Sequence, residues 1–292
     1  MKILVTGGKG FIARNLAEAL SSEHKVSSPG SGELDLLDSI KVADTLKSGG
    51  FDLVIHAATY DAAPKTSTKD PAKVLNNNLR MFFNIARWSG NFGRLIFFGS
   101  GAEFGRENWL PRMPESYFDK FVPSDQYGFS KYLMTKHALS GKNIYNLRLF
   151  GVFGKYEDWR YRFISNLCYQ ALTGREIVIH QDAVYDYTCI DDITGLVKIF
   201  IASDPKEKVY NACSGKAFSR KELAAKVLKV AGKDLKVVFE KSGFSGEYSG
   251  DNSRLLSEIK DFSFTPIDKA IEGLFDWYKK NQQTCFGESG IK

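Results

Sequence analysis

A glycine loop near the start of the chain constrains the fold more than any other feature. Residues 2–6 form an apolar β run, and residues 11–22 carry apolar side chains at helical spacing. Between them Gly7, Gly10 and Ala13 match G-x-x-G-x-x-A. A tight turn requires Gly7, close approach of a pyrophosphate requires Gly10, and a small Ala13 lets helix and strand pack. This order predicts a dinucleotide-binding βαβ unit whose helix N-terminus faces the anion.

The same alternation of strand and helix patterns continues through the first half of the chain. Runs such as LVIH and LIFF are apolar throughout, which indicates strands covered on both faces. Strands separated by helices form parallel sheets. We therefore predict an α/β fold, a doubly wound parallel Rossmann sheet with a smaller C-terminal substrate-binding lobe. The predicted strands span 24–28, 51–58, 94–100 and 143–149, and the predicted helices span 39–49, 70–90 and 124–141, the last capped by Ser124.

The pattern loosens after Gly154. Further helices are predicted over 162–174, 191–203, 219–232 and 267–281, further strands over 175–180 and 209–213, and a glycine- and serine-rich loop over 241–253. From these elements we predict a cofactor domain over 1–154 that about 184–212 complete, a substrate lobe from 155–183 and 213–280, and a flexible tail over 281–292.

The composition excludes several classes of protein. With 43% hydrophobic and 25% charged residues, the 292-residue chain is too apolar for extended disorder. The net charge of +6 is too diffuse to predict a nucleic-acid partner. No apolar run reaches the roughly 20 residues that a membrane span requires. Cys168, Cys189, Cys213 and Cys285 form no C-x-x-C pair and the histidines lack metal spacing, so we predict a cytoplasmic protein without metal, nucleic-acid or membrane partners.

The end of the second strand favours NADP over NAD. NAD-binding sheets place an acidic residue there for the ribose 2′-hydroxyl. This strand ends instead in Ser27 and Ser28, and the next acid is Glu33. Lys9 in the glycine loop and Arg14 in the following helix bring positive charge close to the same point. We therefore predict NADP(H) as the cofactor, with Lys9 binding the 2′-phosphate.

Three residues form a candidate catalytic set. Tyr127 and Lys131 are four residues apart in a predicted helix, so both lie on one face. An ammonium beside a phenol stabilises the phenolate and lowers the tyrosine pKa from its usual value of about 10. Ser100 ends a predicted strand, and the carboxyl ends of parallel strands line the ligand crevice. A hydroxyl there binds a substrate carbonyl or alcohol, so we predict that all three residues are catalytic.

These motifs resemble the extended short-chain dehydrogenase/reductase family, the NAD-dependent epimerases and dehydratases, over nearly the whole chain. The matching segments are TGGKGFIA, the Asp35-Leu36 step, HAA at 56–58, Asn78, Ser100, YGFSK, YDYTCIDD, VYNACSG and DNSRLLSEI. The resemblance implies that the serine, tyrosine and lysine are catalytic, that the Asp35-Leu36 step contacts adenine, and that Asn78 orders the active site. Most members of the family act on nucleotide-activated sugars.

The charge argument and the resemblance together give the set of predicted cofactor contacts. They are Gly7, Lys9, Gly10, Phe11, Ile12, Arg14, Ser27, Asp35, Leu36, Ala57, Ala58, Asn78, Tyr127 and Lys131.

Departures from the family pattern narrow the chemistry. The stretch ELDLLD is most similar to the GDP-L-fucose synthases, NADP-dependent epimerase-reductases. Their acid/base cysteine and histidine correspond here to Ala102 and Arg162. The family's dehydratases carry acids directly after the serine, where this chain has Gly101 and Ala102. Glu103 is one position later and is predicted to point away. The resemblance therefore argues against both dehydration and epimerisation at a carbon next to a carbonyl.

The residues that remain are sufficient to transfer one hydride and one proton. The family's usual diphosphate arginine is missing, and Arg160, Arg162 and Arg254 are predicted to replace it, because arginine binds phosphate bidentately. With Ser100 also on the substrate, we predict NADPH-dependent reduction of the 4-keto group of a nucleoside-diphosphate-linked sugar or deoxysugar by a homodimer. Two alternatives stay open: a nucleotide-sugar 4-epimerase with bound NAD, and a catalytically silent NADP-sensing protein.

Overall fold

The structure, a computed structural model that describes residues 1–62 and 67–287, alternates strands and helices along the chain. The strands are β1 (Lys2–Thr6), β2 (Lys25–Ser27), β3 (Leu53–His56), β4 (Arg94–Ser100), β5 (Ile144–Leu149), β6 (Gly151–Phe153), β7 (Ile177–Ile179), β8 (Asp182–Cys189), β9 (Val209–Ala212), β10 (Ala217–Ser219), β11 (Val237–Phe239) and β12 (Phe244–Tyr248). The helices are α1 (Phe11–Leu20), α2 (Ser39–Gly49), α3 (Val74–Ala86), α4 (Gln126–Ser140), α5 (Phe163–Thr173), α6 (Ile190–Ala202), α7 (Arg220–Ala231), α8 (Ser253–Glu258), α9 (Ile267–Lys280) and α10 (Gln282–Phe286).

Six parallel strands form the central sheet in the order β2-β1-β3-β4-β5-β9. The chain leaves β1 toward β2 on one side and returns to β3 on the other. The carboxyl ends of β1 and β3, where Thr6 pairs with His56, are therefore a topological switch point, the place where open α/β sheets bind ligands. The predicted doubly wound parallel sheet is confirmed.

Alternate residues along the strands supply two apolar layers. Ile3 and Val5 face a core that α1 and α6 cover, whereas Leu4 and Val54 face a core that α2, α3 and α4 cover. Because helices cover both faces, the inner strands are buried on both sides, as their continuous apolar runs predict.

The C-terminal lobe has a separate apolar core. Helices α5, α7 and α9 pack together, and the parallel pair β7–β11 and strand β8 contribute to the same core. Strand β8 also joins β6, β10 and β12 in a small mixed sheet. Among residues 1–62 and 67–287, no helix is long and apolar enough to cross a bilayer.

The loop predicted over 241–253 is wrong in part, because it contains β12. This strand runs parallel to β8, with Glu247 opposite Val184 and Tyr248 opposite Tyr185. Its glycine and serine content suggested a turn, but β8 offers it an edge, and the burial of Tyr248 in an aromatic cluster fixes its end.

The flexible tail predicted over 281–292 begins instead with helix α10. Its Phe286 is buried, and the ring contacts Trp159, Tyr169 and Tyr278 at centroid distances of 5.3, 4.9 and 5.2 Å. These aromatic contacts dock the helix on the C-terminal lobe. Residues 288–292 of the expected tail lie outside the described residues.

Candidate active site

The glycine loop is packed too tightly for side chains. Gly7 has φ +78°, and its carbonyl accepts a hydrogen bond of 2.7 Å from the Gly10 amide just before α1 begins. A Cβ on Gly7 would lie 2.9 Å from Ala58 Cα, and one on Gly8 would collide with the carbonyl of Ser28. The loop therefore lies between the segments that follow β3 and β2, with bare backbone facing the sheet end.

Six of the fourteen predicted cofactor contacts line one cavity of about 170 Å³ at the carboxyl ends of the strands, and Ser100 lines it with them. The structure thus brings together the glycine-loop helix, the segment after β3 and the predicted catalytic set. The cavity is lined by Phe11, Ile12, His56, Ala57, Ala58, Thr59, Asp61, Phe98, Gly99, Ser100, Tyr127, Lys131, Leu149, Phe150, Val152, Glu157 and Arg162.

Helix α4 positions the tyrosine and the lysine. It is capped by Asp125, not by the predicted Ser124, because the Asp125 carboxylate accepts a 2.9 Å hydrogen bond from the Gly128 amide. The Lys131 ammonium donates a 2.8 Å hydrogen bond to the carbonyl of Phe98, which lies on β4 two residues before Ser100. It lies 5.8 Å from the centroid of the Tyr127 ring.

Burial dominates the ionisation of both α4 residues. It raises the pKa of Tyr127, and Asp61 adds to the rise, whereas a hydrogen bond from Ser100 and the charges of Arg162 and Arg106 oppose it. Burial lowers the pKa of Lys131 to about 8, against the opposing influence of Glu103. The expectation that Lys131 lowers the tyrosine pKa is therefore wrong in net direction, because desolvation of the phenolate outweighs the nearby cations.

Two polar residues fix the segment that follows β3. His56 Nδ1 lies 2.9 Å from the Thr6 hydroxyl, and burial together with Lys131 lowers the pKa of His56 to about 3, so its ring is neutral. Asn78 accepts a 2.8 Å hydrogen bond from the Tyr60 amide and donates a 3.0 Å one to the Tyr60 carbonyl. Asn78 thus holds the backbone of the segment after β3, which forms one wall of the cavity.

Glu103 points away from the cavity, as predicted. It is fully buried and its carboxylate accepts a 2.7 Å hydrogen bond from Arg148 Nε. Asn146 and Thr135 also donate to it, and Asn146 accepts a 2.8 Å bond from the Gly99 amide. This buried ion pair supports the end of β4 and leaves Glu103 no access to a substrate.

A second, larger cavity of about 610 Å³ continues from Ser100 into the C-terminal lobe. Of the three predicted substrate arginines only Arg162 lines it, and there it pairs with Asp61 at 3.4 Å. Arg160 pairs with Asp158 outside this cavity, and Arg254 donates to the carbonyl of Val209 at 3.1 Å. The structure does not bring these two side chains to the cavity, because local partners hold both of them elsewhere.

Sequence reasoning missed two other arginines on the larger cavity, Arg106 and Arg220. Arg106 lies 3.3 Å from Asp125. Arg220 follows the Ser219 cap of α7 and donates to the carbonyl of Gln181 at 2.8 Å. Its Nε is buried and has no hydrogen-bond partner among the described residues. The full lining is Asp61, Ser100, Arg106, Trp109, Asp125, Tyr127, Phe150, Gly151, Val152, Glu157, Tyr161, Arg162, Phe163, Ile164, Tyr185, Tyr187, Arg220 and Tyr248.

Arg14 does not lie near the end of β2, where it was predicted to supply positive charge. Its guanidinium lies 3.7 Å from the centroid of the Tyr156 ring and lines a third cavity, of about 410 Å³, together with Trp159 and Trp277. The side chain therefore follows the outer face of α1 toward the C-terminal lobe. It does not reach the loop after β2.

The loop after β2 keeps the other predicted features. The Lys9 side chain lies alongside Gly30, with its Cε 3.1 Å from where a Cβ would stand. Glu33 accepts a 2.8 Å hydrogen bond from the Gly30 amide. Ser27 is exposed, and the hydroxyl of Ser28 is buried without a hydrogen-bond partner in the part of the chain that the structure describes. Glu33 is thus held by a hydrogen bond within the turn, whereas Lys9 and Ser28 remain beside the glycine loop.

The predicted adenine step lies in the turn before α2. Asp35 accepts a 2.9 Å hydrogen bond from the Leu37 amide, and the buried Leu36 offers its carbonyl to Asn84 at 2.8 Å. Within residues 1–62 and 67–287, no group of three or more histidine, cysteine or acidic side chains is arranged to hold a metal ion.

A sequence profile described as "NAD dependent epimerase/dehydratase family" matches residues 3–213. The chain belongs to this family. The match extends from β1 to the residue after β9, and so includes all six strands of the central sheet and the predicted catalytic residues.

Members of the family with different activities resemble the chain to a similar degree. It is 26% identical over 337 residues to a probable UDP-arabinose 4-epimerase 3 of Arabidopsis thaliana, covering 95% of this chain and 80% of that protein. It is 24% identical over 296 residues to the GDP-6-deoxy-D-talose 4-dehydrogenase of Aggregatibacter actinomycetemcomitans, covering 94% and 97%. The structure of a GDP-L-fucose synthetase from Naegleria fowleri bound to NADP has the same fold, with a TM-score of 0.84, 18% identity, and 97% and 94% of the two chains covered.

The two residues after Ser100 carry almost no side chain. Gly101 and Ala102 follow it, and both are buried. A Cβ on Gly101 would lie 2.7 Å from the hydroxyl of Tyr248 and 2.8 Å from the Phe150 ring. Aromatic side chains from elsewhere in the chain therefore fill the space that a side chain on Gly101 would need.

Proposed function

We propose that the protein reduces the 4-keto group of a nucleoside-diphosphate-linked sugar, with NADPH as the reductant. One observation carries the proposal. Ser100, Tyr127 and Lys131 meet at a single cavity, while Gly101 and Ala102 offer no acid or base and Glu103 is held by Arg148 in the core. This set is sufficient for proton donation beside a hydride transfer, and the two positions after Ser100 supply no acid or base for the family's two carbon-centred reactions.

The geometry of the glycine loop fits the cofactor. Side chains at Gly7 and Gly8 would fill the space at the end of β1, so bare backbone is left to hold the pyrophosphate. Lys9 and the unpartnered Ser28 hydroxyl would hold the 2′-phosphate, and Lys131 would hold the nicotinamide ribose. The cofactor, when bound, supplies the hydride.

The proton comes from Tyr127. Because burial raises its pKa, the phenol carries its proton at neutral pH, the state in which it acts as a general acid toward the sugar oxygen. Ser100 donates a hydrogen bond to the same oxygen and stabilises the charge that develops on it. With a pKa of about 8, Lys131 is mostly protonated at neutral pH and makes the tyrosine a stronger acid during the transfer.

The larger cavity supplies the substrate side. Arg162 and Arg220 would bind the diphosphate, and the buried unpartnered Nε of Arg220 gives it a free donor for this purpose. Two similar proteins are named for GDP-linked sugars, which supports testing GDP substrates first. The working form we propose is a cytoplasmic homodimer.

The direct test measures NADPH oxidation with GDP-, CDP-, dTDP- and UDP-linked 4-keto sugars. Turnover of NADPH into a 4-hydroxy sugar supports the reductase. Protein that retains NAD through purification and interconverts two 4-hydroxy sugars is an epimerase. NADPH binding without turnover on any of these sugars supports the sensor.

Reduction in deuterated water tests whether carbon–hydrogen bonds beside the carbonyl are broken. We expect no enzyme-dependent deuterium on the flanking carbons. Glu157 is a carboxyl that lines both cavities, so Glu157→Gln is the informative variant here. Deuterium that enters with the wild-type protein and not with this variant would identify Glu157 as a carbon base and contradict the simple reduction.

A further inference from the structure

Tyr248 brings a second phenol to the catalytic serine. It ends β12, is 7% exposed, and lies against Trp109 at a ring-centroid distance of 4.1 Å and against Phe150 at 5.0 Å. Its hydroxyl lies 3.4 Å from Ser100 Oγ. The ring is thus held by packing, and its hydroxyl is directed at the hydroxyl that we place on the sugar oxygen.

The hydrogen bonds around Ser100 can be counted. A serine hydroxyl has one proton to donate and two lone pairs that accept. The Ala102 amide already donates to Ser100 Oγ at 3.2 Å. If Tyr248 donates as well, both lone pairs are occupied, and the one proton of Ser100 is left for the substrate oxygen.

Burial leaves the Tyr248 hydroxyl with a proton that it can donate. Burial raises the pKa of its phenol, so the hydroxyl remains protonated across the range in which proteins are stable. The place it occupies is made available by Gly101, where any side chain would meet the Tyr248 hydroxyl at 2.7 Å. The glycine at position 101 and the tyrosine at position 248 therefore depend on each other, because only a glycine leaves room for the Tyr248 hydroxyl beside Ser100.

We propose that Tyr248 is a positioning residue that acts through Ser100: by donating to Ser100 Oγ, it commits the serine proton to the substrate oxygen. The proposal rests on the reductase function proposed above. It adds a residue from the C-terminal lobe to a catalytic set that otherwise comes from β4 and α4.

The test compares Tyr248→Phe with the wild-type protein. The variant keeps the ring and its stacking, so NADPH affinity and KM should stay near the wild-type values. Loss of one neutral hydrogen bond should lower kcat about 2–10-fold. Tyr117→Phe is the matched control, since Tyr117 belongs to the same aromatic cluster but donates to the carbonyl of Asn108 at 2.9 Å. We expect it to leave kcat unchanged.

The double variant separates positioning from a structural role. In a Ser100→Ala background the Tyr248 hydroxyl has no partner through which to act, so adding Tyr248→Phe should change kcat by less than about 1.5-fold. A further loss equal to that of the single variant would overturn the proposal, as would a single variant with unchanged kcat.

A second measurement does not depend on turnover. Ring ¹³C NMR of labelled tyrosine gives the pH at which Tyr127 ionises, with Tyr127→Phe as the assignment control. In the wild-type protein, donation by Tyr248 leaves the Ser100 proton directed at the Tyr127 oxygen, where it stabilises the phenolate. Tyr248→Phe removes this constraint on the proton and should therefore raise the ionisation pH of Tyr127. An unchanged value would overturn the proposal. If the wild-type protein reduces no keto sugar, the function proposed above fails, and this measurement alone decides the role of Tyr248.

Discussion

The glycine loop and the large cavity are two candidate anion-binding regions that are built in opposite ways. At the loop, Gly7 and Gly8 leave no room for side chains, so the contacts expected with an anion come from the backbone at the start of α1. In the large cavity, the charge comes from the side chains of Arg106, Arg162 and Arg220, set among aromatic rings. A backbone site depends on local chain geometry, whereas a side-chain site depends on contacts between distant segments.

This difference separates a region that tolerates few substitutions from one whose charged side chains other elements could supply. A backbone cradle tolerates few substitutions, because any Cβ at Gly7 or Gly8 meets backbone atoms. Arginines on loops and helix ends can move from one element to another while the sheet stays the same. The four predictions that follow test this division, beginning with the residue at which the two regions meet.

Replacing Tyr127 with phenylalanine should have the largest effect. The variant loses the proton donor and keeps the ring, so kcat should fall about 10²–10⁴-fold while NADPH affinity stays near the wild-type value. Steady-state NADPH oxidation and fluorescence titration of NADPH measure the two quantities. Tyr132→Phe, on the same helix with its hydroxyl on Asp119, is the control and should turn over normally. Near-normal kcat in Tyr127→Phe would show that the serine–tyrosine–lysine mechanism does not operate here.

Replacing Arg220 with methionine should damage substrate binding alone. Loss of a charge-assisted hydrogen bond to phosphate costs about 1.5–3 kcal/mol, so KM for the nucleotide sugar should rise about 10–100-fold with NADPH affinity unchanged. Arg160→Met is the matched control, because Arg160 pairs with Asp158 outside the cavity. Equal effects of the two variants on KM would contradict the assignment of Arg220 to the substrate side.

The two regions also differ in how far the sequence predicted them. The glycine loop, Ser100, Tyr127 and Lys131 are all placed by short-range patterns, since the residues of each motif lie within one strand–loop–helix unit. Arg220 had no such signal. It follows a capping serine in an ordinary amphipathic helix, and only the packing of α7 against β8 and β10 turns it into the cavity.

Arg14 and Tyr248 are two further residues whose positions short-range sequence patterns did not predict. Arg14 lies one helical turn from the glycine loop in the sequence, but the ring of Tyr156, more than a hundred residues away, holds its guanidinium on the outer face of α1. Tyr248 was assigned to a loop, and the edge of β8 makes its segment a strand. In each case a long-range contact decides where the side chain lies, and no local pattern reports such a contact.

Glu157 lines both cavities, so its charge state bears on both regions. Burial raises its pKa to about 8, against the opposing influence of Ser165 and Arg162. The folded protein therefore holds a proton that the unfolded chain releases above its ordinary pKa of 4.5. Its contribution to stability is greatest below pH 4.5, declines as pH rises to about 8, and is constant above that.

Glu157→Gln should remove this decline. Relative to the variant, the wild-type protein should lose stability between about pH 6 and pH 8 at a slope of at most about 1.4 kcal/mol per pH unit. Urea unfolding across this range gives the two free energies of unfolding. Other titrating groups, including Asp186, whose pKa burial raises to about 6, are common to both proteins and cancel in the difference. Parallel pH profiles would show that Glu157 ionises normally in the folded state.

The smallest effect concerns cofactor choice at the loop after β2. Lys9 lies beside Gly30, the nearby Ser28 hydroxyl is buried without a hydrogen-bond partner among the described residues, and Glu33 is held by the turn. A single charge-assisted contact to the 2′-phosphate contributes about 0.5–2 kcal/mol, so Lys9→Ala should weaken NADPH about 2–30-fold and NADH hardly at all. Arg14→Ala is the matched control. In the sequence, Arg14 lies as close to the glycine loop as a source of positive charge, but its guanidinium lies over the ring of Tyr156. The Arg14→Ala variant should therefore bind NADPH as the wild-type protein does. Equal losses in the two variants would mean that the cofactor responds to the general positive potential of this end of the sheet, and that Lys9 makes no specific contact with the phosphate.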